Sequence, residues 1–553
     1  MPATYTYPGV YVEEVPSGVR TIAGVSTSDT AYVDFFARGP VNEATRITSF
    51  GDFERQFGGL DDRSEASYAL QQFYLNGGAV AWVVRVTSGR ADTSSAVLES
   101  STASPPQGSL TVAAANPGKW GDNVQVAALR VRKADGTFET DKFNLAVREV
   151  RRAPNGDLSD PEARRKANEK AQVVATEIFR NLNLTVGDPL SAKTVVNDGS
   201  ALVRITDVHM GGLPTLSDPN IAGDAPDDFV AWLDLRNGSD GDTPVAGADL
   251  VGDPDDKTGI YALDRIAPSI FNILCVPAAT KLVPAGGKSV GPMQSLLADA
   301  EAYCVDKRAF LIVDIPPGVQ TVADMRSFVA DLEGAGLRST NAAVYFPRLT
   351  IPDRLQNDRP RNVGASGTLA GVYSRTDATR GVWKTPAGTE AFLRNARLTV
   401  KLGDLENGAL NPLGVNALRT FPIVGTVSWG GRTLEGADQL ASEWKYVAVR
   451  RTALYIEESL YEGLQWVVFE PNDEPLWAQV RMNVGAFMHD LFRQGAFQGN
   501  SPDKAYFVKC DDETTTQNDV DRGIVNIWVG FAPLKPAEFV VLKIQQMAGQ
   551  VET

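Results

Sequence analysis

Short apolar runs alternate with amphipathic helical segments between residues 272 and 349, and this pattern constrains the fold more than any other. The runs NILCVP, AFLIVDIP and AAVYFPRL have the length and composition of buried strands. Thr321 and Asp324 form a capping box at the second helix. The predicted buried helix positions are Met293, Leu296, Leu297, Ala300, Met325, Phe328, Val329 and Leu332. Because strands that alternate with helices need crossover connections, we predict a parallel or mixed sheet with right-handed crossovers.

A similar strand–helix–strand pattern lies near the start of the chain. TAYVDFF at 30–36 predicts a buried strand, residues 64–75 predict a helix, and residues 80–86 predict another strand. Asn76, Gly77 and Gly78 make the turn between helix and strand, where glycine adopts positive φ at little cost.

The region from 89 to about 250 has a different character. A chain of 553 residues is too long for one core, so we expect several modules. A Ser-, Thr-, Ala- and Pro-rich linker at 89–108 precedes alternating runs at 124–132 and 143–150, which predict a hairpin-like pair. A helix is predicted from Ser159 or Asp160, with Pro161 in its first turn and Glu162 completing a capping box.

Both ends of the chain carry a lone alternating segment. Pro8 and Gly9 open the first, and Pro536 precedes the second. Each segment either pairs within its own subunit or is donated to the sheet of another chain, and we predict donation. The predicted strand residues are Val10, Tyr11, Val12, Glu13, Phe539, Val540, Val541, Leu542, Lys543 and Ile544.

Two further helices are predicted before the terminal segment. The helix from about Leu476 to Gln494 has an apolar face of Val480, Val484, Phe487, Met488 and Leu491, with Arg481, His489 and Arg493 off that face. Arg450 and Arg451 lie in an earlier helix, where they could pair with Glu457 and Glu458 or with a neighbouring chain.

Sequence motifs for catalysis are missing. The two histidines, His209 and His489, lie outside the α/β segment that contains Asp314, Ser366 and Ser374, and no G-x-S-x-G elbow occurs. No G-x-x-x-x-G-K-[ST] phosphate loop occurs either. We therefore predict that the protein is not an enzyme, with a serine hydrolase as the rival.

Composition narrows the functional classes. A net charge of −15 and a pI near 4.8 argue against nucleic-acid binding, which needs a basic surface. No run of about 18 apolar residues predicts a membrane span, and the first residues lack the pattern of a signal peptide, so we expect synthesis to leave the chain in the cytoplasm.

Neither the cysteines nor the acidic clusters predict a metal site. Cys275, Cys304 and Cys510 are far apart without a CxxC motif, and we interpret them as buried thiols. The acidic clusters at 253–256 and 511–513 lack calcium-loop spacing and are interpreted as solvated loops. We expect no metal and no cofactor.

Several segments of the chain resemble the contractile tail sheath family of phages, R-type pyocins and contractile injection systems. The resemblance is carried by FEPND at 469–473, GAFQGNSPDKAYFVKCD at 495–511 and PLKPAEF at 533–539, which keep the family's order and spacing. The opening AYVDFFARGPVNEATRITSFGDFERQFGG, NPGKWGDNVQV and GTLAGVYSRTDATRGVWKTPAG extend it. It covers the chain outside much of the 89–250 region.

The resemblance implies a multidomain fold of α/β and α+β type. Its parts are an N-terminal arm at 1–22, a subtilisin-like α/β sheath core at 23–88 and 251–420, an inserted outer α+β domain at 89–250, a C-terminal α+β inner domain at 421–535 and a C-terminal arm at 536–553.

The family also implies a function. Its subunits polymerise helically, in six-fold rings, around an inner tube protein and contract to drive the tube through an envelope, with baseplate and terminal cap proteins as partners. The resemblance also implies that the subunits assemble in the bacterial cytoplasm into a phage tail or tail-like particle. The candidate tube-facing residues are Arg481, His489 and Arg493. A static tube or shell protein is the other alternative, and the kind of machine stays open.

Overall fold

The protein is described from a computed structural model of the chain. The structure describes residues 20–99, 108–152, 163, 166–168, 170–209, 212–214 and 232–543.

The strands are numbered in chain order. They are β1 Thr30–Asp34, β2 Thr45–Ile47, β3 Ala81–Arg85, β4 Ala91–Asp92, β5 Ser95–Glu99, β6 Gly108–Ala114, β7 Val124–Arg132, β8 Phe138–Arg151, β9 Gln172–Leu182, β10 Val203–Val208, β11 Leu233–Asp234, β12 Ser239–Asp240, β13 Ile273–Cys275, β14 Phe310–Val313, β15 Ala342–Phe346, β16 Leu349–Asp353, β17 Arg359–Val363, β18 Arg397–Leu398, β19 Val415–Phe421, β20 Gly425–Ser428, β21 Tyr506–Lys509 and β22 Trp528–Phe531.

The α-helices with complete described bounds are numbered in the same way. They are α1 Phe50–Phe57, α2 Glu65–Asn76, α3 Ala192–Gly199, α4 Gly247–Val251, α5 Gln294–Asp306, α6 Val322–Gly334, α7 Ser366–Arg380, α8 Asp404–Leu410, α9 Val447–Gly463, α10 Glu474–Arg493, α11 Pro502–Ala505 and α12 Gln517–Asp521.

The chain divides into two compact units. The larger unit comprises Ser28–Arg375 and Pro386–Ser442, and the smaller unit comprises Met1–Thr27, Thr376–Thr385 and Glu443–Thr553. Residues 421–442 group with the larger unit, whereas the predicted C-terminal domain begins at 421. The reason is backbone pairing, because β20 forms an antiparallel ladder with β19 of the larger unit.

An eight-stranded sheet organises the larger unit, in the order β2-β3-β1-β13-β14-β15-β19-β20. The strands from β3 to β19 are parallel, and the outer strands β2 and β20 are antiparallel. This confirms the predicted parallel or mixed sheet. Met293, which directly precedes α5, and Phe328 of α6 are fully buried in the core, and the other predicted positions are buried with them. The predicted helix faces are therefore confirmed.

Antiparallel sheets fill the region from 89 to 240. One has the order β10-β6-β5 and another the order β11-β7-β8-β9, with a shared core of aliphatic side chains. The predicted hairpin is confirmed, because β7 pairs with β8 from Val124 opposite Glu149 onward, and Gly136 turns the chain at φ 87°. Most of the helix predicted from Ser159 or Asp160 lies outside the described residues.

The smaller unit packs α9, α10 and the β21–β22 pair around one apolar cluster. Both predicted helices are confirmed. The apolar face of α10 is buried as predicted, at Val480, Val484, Phe487, Met488 and Leu491. Cys510 belongs to the same cluster, and all three cysteines are buried free thiols.

Candidate functional site

The α/β sheet brings together an aspartate and a serine that a hydrolase could use. Asp314 follows β14, and Ser366 begins α7. The Ser366 hydroxyl donates to one Asp314 oxygen at 2.5 Å, and the Ser366 N–H donates to the other at 2.9 Å. A Cβ at Gly364 would lie 2.4 Å from the Asp314 carboxyl carbon, so the loop leaves no room for a larger residue. Asp314 thus holds the first turn of α7.

This pair lacks the surroundings of an active nucleophile. Burial raises the pKa of Asp314, and Ser366 is also buried. Neither histidine is among its hydrogen-bond partners: His209 lies 3.0 Å from Asp207, and His489 is 3.3 Å from the Tyr506 hydroxyl. Within the described ranges, no group of three or more His, Cys, Asp or Glu side chains could hold a metal ion.

The segment Arg20–Val25 is fixed to the smaller unit. The Arg20 N–H donates to Asn483 Oδ1 at 3.2 Å, and its guanidinium lies 4.5 Å from the Trp466 ring centroid. Ile22 is buried so tightly that a Cβ at Gly463 would lie 2.6 Å from it. The predicted strand residues Val10, Tyr11, Val12 and Glu13 precede this anchor and lie outside the described residues.

The C-terminal segment leaves the smaller unit after a last short pairing. Gln498 N–H donates to Ala532 O at 2.9 Å, and Phe497 bridges to Pro533. Residues 534–543 then form neither helix nor strand. The side chains of Phe539, Val540, Val541 and Leu542 are between 77% and 81% exposed, Lys543 is exposed, and Ile544 lies outside the described residues. An apolar run of this kind is costly to leave in water.

The β21–β22 pair offers the complementary feature. It is a two-stranded antiparallel sheet with no third strand in the part of the chain that is described. Ala532 N–H donates to Ala505 O at 2.8 Å, and bonded pairs alternate along such a ladder. The register then directs the N–H groups of Val508 and Val529 away from the pair. Each strand of the pair therefore has an outward N–H group to which a further strand can bind.

The three residues predicted off the apolar face of α10 differ in their surroundings. Arg481 donates to the carbonyl of Cys510 and, at 2.5 Å, to Glu474. His489 and Arg493 are exposed. Arg481 therefore connects α10 to the Cys510 backbone within the smaller unit. His489 and Arg493 lie on the solvent-exposed side of α10, which we call its open face.

Arg450 and Arg451 have separate partners. Arg450 pairs with Glu457 at 3.3 Å, as predicted. Arg451 pairs with Asp377 at 2.6 Å, and both side chains are buried. The sequence analysis did not predict this contact, because Asp377 is 74 residues away in the sequence and no local spacing indicates it. In the described residues, no helix is long and apolar enough to cross a membrane.

Comparisons with known proteins give a consistent result. Residues 440–547 match the family model of the phage tail sheath C-terminal domain. A tail sheath protein of Vibrio phage KVP40 is 24% identical over 288 residues, which are 48% of this chain and 41% of that protein. A putative prophage major tail sheath protein of Pseudomonas aeruginosa (strain UCBPP-PA14) is 23% identical over 390 residues, which are 65% of this chain and 94% of that protein.

A solved structure extends the similarity along the whole chain. The sheath of PVC, an extracellular contractile injection system, in its contracted state has 19% identity, covers 98% of both chains and gives a TM-score of 0.54. At this identity the likeness concerns the fold, which is a mixed α/β multidomain fold resembling sheath proteins. The alignment with the Vibrio phage protein spans less than half of that protein's length.

Proposed function

Because the chain belongs to the tail sheath protein family, we propose that it is a structural subunit of a contractile sheath, which polymerises helically around an inner tube and contracts to drive the tube through a target envelope. The particle is a phage tail or a phage-tail-like particle, assembled in the bacterial cytoplasm. The subunit has no catalytic role, in agreement with the capping function of the Asp314–Ser366 pair.

The exposed terminal segment is the observation that carries this proposal. Phe539–Leu542 has the apolar content of a strand, yet the chain leaves it in solvent. Covering one large apolar side chain is worth about 1.5–3 kcal/mol, so a second copy that covers four gains substantially. The chain has two ends predicted to donate strands, and within the described residues the β21–β22 pair has no third strand. Main-chain hydrogen bonds to the edges of this pair would link neighbours in a helical lattice of six-fold rings.

The proposed contraction mechanism depends on the backbone hydrogen bonds between subunits. Backbone ladders between subunits persist while side-chain interfaces slide, so rigid units can repack into a second lattice without separation. No phosphate-binding motif offers a fuel, and the energy for contraction is therefore stored in the assembled lattice.

The finer architecture belongs to the same proposal. The sheet of the larger unit forms a subtilisin-like core, supported by its parallel strands and by an aspartate after β14 that caps α7. The antiparallel sheets at 89–240 form the inserted outer domain. The open face of α10, with His489 and Arg493, faces the inner tube. Baseplate and terminal cap proteins bind the ends of the polymer. The subunit neither binds nucleic acid nor inserts into a membrane.

Deletion of each end tests the proposal. Removal of residues 2–18 spares the Arg20 anchor, and removal of 536–553 spares the pairing at Ala532. We expect both variants to fold, by circular dichroism, but to form no sheaths in electron micrographs. A control lacking only 546–553 retains the predicted strand and should polymerise. Normal sheaths from either of the first two variants would contradict strand donation.

A second experiment separates a contractile sheath from a static tube. Assembled particles are triggered by mild denaturant and imaged before and after. Two helical symmetries are expected, with the triggered form shorter and wider. A single symmetry under all conditions favours the static tube or shell.

A further inference from the structure

The turn Val467–Glu470 has a backbone shape that its sequence does not favour. Glu470 N–H donates to Val467 O at 3.2 Å, Val468 has φ −64° and ψ 130°, and Phe469 has φ 69°. These values define a type II turn, in which the third residue is ordinarily glycine or asparagine because φ is positive there. Here that position holds a phenylalanine.

The same phenylalanine is fully exposed to water. Its side chain is 103% exposed, and that of Val468 is 60% exposed. Hydrogen bonds fix the chain directly after the turn. Trp477 Nε1 donates to Asn472 Oδ1 at 2.9 Å, and Asn472 Nδ2 donates to Ile524 O at 3.0 Å. A strained backbone that presents an apolar ring to solvent is typical of a binding contact.

The charges next to the turn indicate what covers it. Glu470 and Asp473 are exposed acids one and four residues after Phe469. The terminal segment has an exposed apolar run at Phe539–Leu542, with Lys535 and Glu538 before it and Lys543 after it, so that lysines outnumber acids there. Within the described part of the chain, Glu470, Lys535 and Lys543 form no ion pair. The Val467–Glu470 turn and the terminal segment therefore both present apolar side chains, and their flanking charges are of opposite sign.

We propose that Val468 and Phe469 dock onto residues 535–543 of a second copy of this chain. The inference rests on the proposed function and specifies one contact of the donated terminal segment. Phe469 is then kept in the glycine position of its turn because assembly requires the ring, at the expense of the stability of the free subunit.

A glycine substitution tests whether the ring serves assembly. Phe469→Gly relieves the positive φ and removes no intramolecular packing, so the melting temperature of the subunit should stay the same or rise by up to about 3 °C. The critical concentration for polymerisation should rise about tenfold or more, the change expected when one large apolar contact is lost. Lys257→Gly is the matched control, because Lys257 is exposed with φ 53° but is polar; its polymerisation should be unchanged.

Cross-linking tests the identity of the covering segment. Val468→Cys and Val541→Cys are placed in separate full-length copies, which keeps Phe469 in place; the native cysteines are buried. After assembly of a mixture, a short bismaleimide should link the two kinds of copy into dimers. Each variant alone, and the mixture kept below its critical concentration, should give no such dimer.

The outcomes separate this inference from the proposed function. Normal polymerisation of Phe469→Gly overturns the inference, as does a lack of mixed dimers in assembled particles or a link to the inner tube protein in their place. In each of these cases, loss of assembly on removing 536–553 would leave the sheath proposal intact. Failure of the unmodified chain to polymerise at all would overturn the proposed function itself.

Discussion

Arg451 and Asp377 form a buried ion pair in the smaller unit, with 2.6 Å between Arg451 Nη2 and Asp377 Oδ2 and both side chains under 5% exposed. The Arg451 guanidinium also donates to the carbonyl of Thr27 at 2.8 Å. One side chain on α9 thus connects three separate stretches of the chain that make up this unit.

Loss of this arginine should destabilise the smaller unit strongly. Arg451→Ala leaves the Asp377 charge buried without its partner, which costs about 3–5 kcal/mol of unfolding free energy. The adjacent Arg450→Ala is the control, because Glu457, its partner, is 43% exposed and such pairs contribute about 0–1 kcal/mol. Urea unfolding followed by tryptophan fluorescence measures both. Equal losses would contradict the buried role of Arg451.

Proline substitutions should identify which edges of the β21–β22 pair accept donated strands. Val508→Pro and Val529→Pro each remove one outward N–H while leaving the bonded pairs of the ladder in place. We expect each variant to fold and to lose polymerisation, measured by sedimentation. Val508→Thr and Val529→Thr keep the N–H and serve as controls. An edge whose proline variant assembles normally does not receive a strand.

The sequence predicted those parts of the fold that depend on local periodicity. Helix α6 was predictable because its capping residues and its buried face lie within thirteen consecutive positions. The Arg451–Asp377 pair and the Arg481–Cys510 contact were not, since they join positions 74 and 29 residues apart, and spacing along one helix carries no information about such partners.

The exposed phenylalanine of the Val467–Glu470 turn illustrates a different limit. The sequence VVFEPND contains no glycine to mark a positive φ, so turn statistics do not indicate the type II geometry. Where local sequence preference and observed backbone disagree, a functional constraint is the usual reason.

The Asp314–Ser366 pair should behave as a structural element in a chemical test. Ser366→Ala removes a hydrogen bond to a buried carboxylate, and we expect a loss of about 1.5–3 kcal/mol in unfolding free energy. Ser374→Ala removes only a bond with the Ser28 hydroxyl and should cost about 0.5–1.5 kcal/mol. A fluorophosphonate probe, followed by mass spectrometry, should label no serine of the native protein. Labelling of Ser366 would restore the hydrolase hypothesis.

Charge reversal on the open face of α10 should weaken attachment to the tube without preventing folding. Arg493→Glu changes an exposed charge, and we expect roughly a tenfold loss of tube decoration at low salt that diminishes as salt screens the contact. Arg522→Glu, also exposed in the smaller unit, controls for the change in net charge. Co-sedimentation with purified tubes measures both variants. Equal decoration by the two would show that Arg493 lies off the tube-binding face.

The stability of the larger unit should depend on pH through Asp34. This carboxylate belongs to the last residue of β1 and accepts hydrogen bonds from the Ala66 N–H at 2.7 Å, the Phe35 N–H at 2.7 Å and the Ser64 hydroxyl at 3.1 Å. Burial raises the pKa of Asp34 to about 7, against an ordinary value of 3.8. The folded chain therefore keeps a proton that the unfolded chain has released, and the contribution of Asp34 to stability is present below pH 4 and is lost as pH rises towards 7.

We expect this group to lower the unfolding free energy by about 1.4 kcal/mol per pH unit between pH 4 and 7. Asp34→Asn cannot ionise, so it should remove that slope, although the amide loses one accepted hydrogen bond and the variant is less stable overall. Urea unfolding of the subunit at intervals of pH measures the slope independently of the absolute stability. Parallel pH profiles for the two proteins would mean that Asp34 stays ionised in the folded state, in which case its three hydrogen bonds outweigh the effect of burial.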